Sequence, residues 1–186
     1  MAEEKTFSLS DAARRLGVPQ HRLIHLCEKG VVVPDVHDAT GRGSSRVFST
    51  DNVLELAVAL RLREMMLPVT TAGAVVHVLR AFGERLSRDL PHSSLTESLR
   101  DKRAPDLRVI ISDGQTIYFS VGMPDQKPKL FGGIPLDHLS GNGSGFRGQI
   151  DAVRSAASSA LGGPEPSRFA RLEISITAIA RDLRIQ

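Results

Sequence analysis

Cysteine is almost missing from the chain. The only thiol is Cys27, so no intrachain disulfide framework and no multi-cysteine metal site can form, a usage that suits a reducing cytosol. Long apolar runs are missing too. None approaches the roughly 20 residues that span a bilayer, and residues 1–10 lack a basic stretch leading into an apolar one. The expectation is a soluble, cytoplasmic protein with no membrane partner. Charge of one sign is in modest supply, a net +3 with a pI near 9.4, which admits a polyanionic partner without a histone-like surplus. Catalytic constellations are lacking as well. Asp106, Asp113, Asp125, Asp137 and His138 are scattered without nucleophile–base or paired-carboxylate spacing. The glycines at 141, 143, 145 and 148 precede no Lys-Ser or Lys-Thr of a phosphate-binding turn, and read as a flexible linker. No enzyme and no cofactor are expected.

What is present is an ordinary globular balance. Of 186 residues, 41% are hydrophobic and 24% charged, enough for one generous domain or two small ones. No internal repeat is found. Ser10 can cap a short helix at 11–16 that Gly17 stops, and Pro19 opens a second helix running to about Lys29, with Gly30 as its stop signal. On that second helix Leu23, Leu26 and Cys27 share an apolar face, which makes Cys27 a small buried hydrophobe. Val31, Val32 and Val33 favour an extended segment, and Arg46, Val47 and Phe48 a returning one, so the two are expected to pair as a small hairpin around polar, glycine-rich residues 37–45. Ser49 or Thr50 then caps a helix at 51–67 closed by Pro68, and a further helix runs from Thr70 or Thr71 to Leu90.

Beyond the polar stretch at 102–105 the hydrophobic period changes. Segments 107–112 and 116–121 read as antiparallel strands around Asp113, Gly114 and Gln115. Residues 125–128 and 140–145 read as loops and 146–161 as an amphipathic helix. The alternation of Leu172, Ile174, Ile176 and Ala178 with polar residues reads as one strand with a wet face. The fold class is therefore α+β, mostly α with a small β wing at the N-terminus. Its expected domains are 1–90, a linker at 91–105, and a small α+β domain at 106–186 of unassigned role.

The segment from Thr6 to Leu79 resembles the DNA-binding domain of the MerR family of bacterial transcription regulators. Phe7, Ser8 and Leu9, then Ala12 and Ala13, then Leu16, Gly17 and Val18 look like its opening helix and turn. Leu23, Glu28, Lys29 and Gly30 match the end of its second helix. Arg46 to Ser49 look like the close of its first wing, and Leu60 to Arg63 fall where it carries an apolar and basic helix. Ile24, His25 and Leu26 depart from the basic and aromatic residues usual there. Pro91 and the short stretch 94–103 leave no room for the family's long dimerising helix.

The resemblance implies a winged helix-turn-helix that binds double-stranded DNA, and a homodimer on an inverted repeat. Such a helix brings its amino end to base edges, where Pro19, Gln20, His21 and Arg22 stand. Gln20 and His21 are the expected base readers, and His25 follows one turn later. Arg42, Gly43, Ser44, Ser45 and Arg46 are expected to meet the phosphate backbone from the wing, and Arg14 and Arg15 from the first helix. His21 and His25 also have a zinc-binding spacing, but no third ligand is evident, so no metal is expected. The C-terminal domain is expected to serve self-association or to recruit RNA polymerase or another protein. The alternative is a phage- or plasmid-type DNA-binding accessory or adaptor. The place of action in either case is the nucleoid.

Overall fold

The computed structural model describes residues 5–38, 45–89, 94–123, 127–136, 166 and 170–183. The architecture is α+β, as the hydrophobic periods require, and the chain divides into two compact units. One comprises Met1–Val76 with Asp182–Gln186, the other His77–Arg181.

The first unit contains β1 (Phe7–Ser8), α1 (Leu9–Leu16), α2 (Gln20–Glu28), β2 (Val47–Phe48), α3 (Thr50–Glu64) and the start of α4 (Val69–Asp89). The cap of α1 is Ser8 rather than Ser10. Ser8 is extended because it pairs with Val47 in the β1/β2 ladder, and its Oγ accepts the Asp11 N–H at 3.1 Å. Ser10 lies inside the helix and faces solvent. A single closing device then recurs three times. At the end of α1 the amides of Gly17 and Val18 donate back to the carbonyls of Arg14 and Ala13. At the end of α2 those of Gly30 and Val31 donate to Cys27 and Leu26, and at the end of α3 those of Met66 and Leu67 donate to Arg63 and Leu62. This paired pattern needs a left-handed residue just past the helix, with φ of 65° at Gly17, 67° at Gly30 and 63° at Met66.

The expected pairing of 31–33 with 46–48 does not form. Val31 is the last residue of the α2 closing motif, and Val31 and Val32 are buried in the core instead of extended along a ladder. β2 pairs with β1, Phe7 opposite Phe48, and the wing strand meets His37 through an isolated antiparallel bridge at Val47. Leu23, Leu26, Phe48, Val53, Leu56 and Leu60 fill the centre of the unit. Each such burial is worth about 1.5–3 kcal/mol.

The second unit holds the rest of α4 with α5 (Leu95–Arg100), β3 (Asp106–Ser112), β4 (Thr116–Gly122), β5 (Lys129–Pro135), β6 (Arg171–Ser175) and α6 (Ile176–Asp182). The stretch 91–105 is thus not simply a linker. Ser94 caps α5, and Leu95 and Leu99 are buried; Leu95 packs so closely on Gly83 that a Cβ there would lie 3.2 Å from Leu95 Cδ2. The sheet order is β5-β4-β3-β6, antiparallel throughout. Asp113 and Gly114 turn the β3–β4 hairpin with φ of 51° and 67°, the left-handed geometry that matches strand twist. Leu107, Val109, Ile111, Ile117 and Phe119 share one buried face, where the Phe119 ring stacks on Phe82 of α4 with centroids 5.9 Å apart.

Two expectations for this half are corrected. β5 is a strand in a stretch that gave no strand signal, and among the described residues it stands at the edge of the sheet, where Pro135 and two glycines are tolerated. The alternating segment 172–178 is not one strand. β6 ends at Ser175, whose Oγ accepts the Ala178 N–H at 3.0 Å, and α6 begins at Ile176. The helix expected at 146–161 and the loop at 140–145 lie outside the described residues.

Candidate nucleic-acid interface

α1 and α3 each begin with a serine cap and an acidic first turn, Ser8 with Asp11 and Ser49 with Asp51. α2 begins differently. Its N-cap is Pro19, which makes no side-chain cap hydrogen bond, and its first turn holds no acidic residue. Neither a cap side chain nor a first-turn acid thus offsets the positive end of the helix dipole, an arrangement that favours an anion. Pro19, Gln20, His21 and His25 are exposed and Arg22 is half-buried, while Leu23 and Leu26 anchor the opposite face in the core. The structure thus brings the expected base readers together on one accessible helix end.

The basic residues divide. Arg14 is largely exposed and pairs with Asp11. The Asp11 carboxyl sits below its ordinary range chiefly because the Ser8 hydroxyl donates to it, at 2.6 Å, with Arg14 and Arg15 adding charge. Arg15 is half-buried, with its guanidinium 4.8 Å above the Phe7 ring. Arg46 is more enclosed: its side chain is 17% exposed and its Nε donates to Asp38 Oδ1 at 3.0 Å. Ser45 is exposed, and Arg42, Gly43 and Ser44 lie outside the described residues.

What sequence reasoning missed is the polar network that seats the wing. Asn52 is fully buried, and both ends of its amide are used. Its oxygen accepts the backbone N–H groups of Asp35 (2.7 Å) and Ser49 (3.3 Å); its nitrogen donates to Val33 O (3.2 Å) and Glu55 Oε2 (2.9 Å). Ser49 Oγ donates to Asp35 Oδ2 at 2.9 Å and accepts the Asn52 N–H at 3.1 Å. The signal was a serine followed three residues later by an amide, the pattern of a reciprocal helix cap, but the third partner comes from 14 or more positions upstream. Cys27 is half-buried at the other end of α2. Burial pushes its thiol up to about 11, with Arg46 pulling the other way and Asp38, Glu28 and Glu55 adding to the rise.

Among the described residues no three His, Cys, Asp or Glu side chains gather as a metal would require, and no helix is long and apolar enough to cross a membrane.

Two short helices joined by a tight turn, a β-bridged wing and a supporting third helix define a winged helix-turn-helix unit. Residues 7–84 match the model of the MerR HTH family of regulatory proteins, so this segment is similar to the helix-turn-helix part of those regulators. No curated protein matches the chain.

Proposed function

We infer that the chain is a sequence-specific regulator of transcription that places the amino end of α2 in the major groove. The observation that carries this reading is the uncapped, acid-free start of α2, which presents Gln20 and His21 as exposed donors and acceptors, with His25 one turn behind. Gln20 is suited to adenine and His21 to a base edge or phosphate, and the exposed Arg14 and Ser45 would meet the phosphate backbone. Arg22, Arg42, Gly43 and Ser44 complete the proposed surface.

A homodimer on two half-sites supports specificity better than one unit, because a single small winged unit buries limited DNA surface. The second unit is then available for self-association or for a protein partner such as RNA polymerase, and the protein would act at the nucleoid in the cytoplasm.

The test is selection of binding sites from a random duplex library with the full chain. A recovered inverted repeat supports the reading. Gln20→Ala and His21→Ala should each relax preference at one or two positions per half-site, by about 1–3 kcal/mol per base pair. Recovery of no preferred sequence would sink it.

A further inference from the structure

His37 and Val47 face each other across the base of the wing and exchange both backbone hydrogen bonds, His37 N–H to Val47 O at 3.2 Å and Val47 N–H to His37 O at 2.9 Å. In an antiparallel pair this register puts the next rung at Asp38 and Arg46, directly opposed and close enough for side chains to meet. They do meet, Arg46 Nε on Asp38 Oδ1 at 3.0 Å. The two partners differ in exposure. Arg46 is only 17% exposed while Asp38 is 54% exposed, so the guanidinium lies down against the protein instead of reaching out. Compare Arg14, whose side chain is 75% exposed.

We propose that Arg46 is a positioning residue rather than a phosphate contact: with Asp38 it forms a clasp that fixes the two arms of the wing, so that an acidic side chain beside the DNA-binding surface favours DNA binding. The proposal rests on the DNA-binding reading above and deepens it. Charge alone says the opposite, because removing an acid near a polyanion should strengthen attachment and free Arg46 to reach a phosphate.

The experiment titrates a fluorescent random-sequence duplex with the full chain over a range of salt. It compares the natural protein with Asp38→Ala, Arg46→Ala and the exchanged pair Asp38→Arg with Arg46→Asp. The clasp predicts that each single variant weakens binding about threefold to fivefold, the range open to one cross-strand pair. It also predicts an unchanged salt slope for Arg46→Ala, with thermal midpoints that scarcely move, and recovery of most of the affinity in the exchanged pair. Tighter binding by Asp38→Ala overturns the proposal. So does a slope about one unit flatter for Arg46→Ala, the loss of one released counterion.

Absence of any binding by the natural protein would sink the DNA-binding reading instead. The clasp is then still decided by hydrogen exchange at the Val47 amide. About threefold faster exchange in Asp38→Ala supports it, and an unchanged rate overturns it.

Discussion

The side-chain oxygen of Asn52 accepts the backbone N–H of Asp35 at 2.7 Å, so the residue that completes the cap of α3 also ties down the chain leading to the wing. An amide offers two donors and two acceptor lone pairs, and here all four are engaged. Neither aspartate nor leucine can reproduce that set. Aspartate would face the Glu55 carboxylate, and leucine would remove all four of these hydrogen bonds at once. Asn52→Leu should cost about 3 kcal/mol, because four hydrogen bonds made by one fully buried amide are lost together. Urea denaturation monitored by circular dichroism measures this as a shifted midpoint at constant slope. A change within about 0.5 kcal/mol, typical of a surface site, would show that the network is ornamental.

Met66 offers a gain instead of a loss. It closes α3 with the same pair of backbone hydrogen bonds that Gly17 and Gly30 make after α1 and α2, yet it carries a Cβ at φ 63° and an 87% exposed apolar side chain. The left-handed conformation costs a residue with a Cβ about 1–2 kcal/mol, against about 0.4–1 kcal/mol for the extra freedom glycine brings to the unfolded chain. Met66→Gly should therefore raise stability by about 0.5–1 kcal/mol, read as a higher urea midpoint. A lower midpoint would mean that the methionine side chain makes a contribution its exposure does not suggest.

These two sites mark what the sequence made legible and what it did not. Local signals read well: Gly17 and Gly30 as stops, Asp113 and Gly114 in the hairpin, and the leucines of α2 and α3, while Pro19, expected as the first helical residue of α2, is the extended cap just before it. Each depends on neighbours within a few positions, where backbone sterics and helical period act directly. The failures depended on distant partners. Ser8 outcompetes Ser10 as a cap because Val47, far along the chain, holds Ser8 extended. Val31 to Val33 have strand propensity, but the closing hydrogen bonds of α2 reach Val31 first. At Ser175 the alternation continues into Ile176 and Thr177 while the backbone turns helical. Thr177 there accepts the Leu107 N–H at 2.8 Å and donates to Pro105 O at 3.0 Å, a demand from 70 residues away. The exposure of Gln20 and His21 followed from the same apolar stripe that buries Leu23 and Leu26, whereas the enclosure of Arg46 needed the opposing Asp38.

Cys27 should be slow to react. Burial lifts its thiol from an ordinary 9.0 to about 11, so at pH 8 the folded protein holds about 100-fold less thiolate than the unfolded chain. Iodoacetamide labelling followed by intact mass should show that ratio between native protein and protein in concentrated urea. The linkage has a definite sign. The folded state binds this proton more tightly, so the stabilisation is complete below pH 9 and is lost as pH rises through about 11. Cys27→Ala should flatten that part of the alkaline stability profile. Equal labelling of folded and unfolded chains at pH 8 would mean that the α2 face is open.

A substitution at the start of α2 separates stability from function by sign. Gln20 is the first residue of the helix, exposed, with no acid in its turn and no side-chain cap at Pro19. Placing a carboxylate there compensates the positive end of the dipole, so Gln20→Glu should stabilise the free protein by about 0.3–1 kcal/mol. The same carboxylate would stand where a base edge or phosphate is proposed to sit. It removes the amide that pairs with adenine and adds repulsion from the duplex, so affinity for a selected site should fall about tenfold or more, the size of one good base contact. Gln20→Ala isolates the lost amide from the added charge and should fall between the two. A thermal midpoint raised together with a weakened duplex titration is the expected pair of results. If the glutamate variant binds as tightly as the natural protein, DNA does not approach α2 at this end, and the recognition surface must be sought elsewhere.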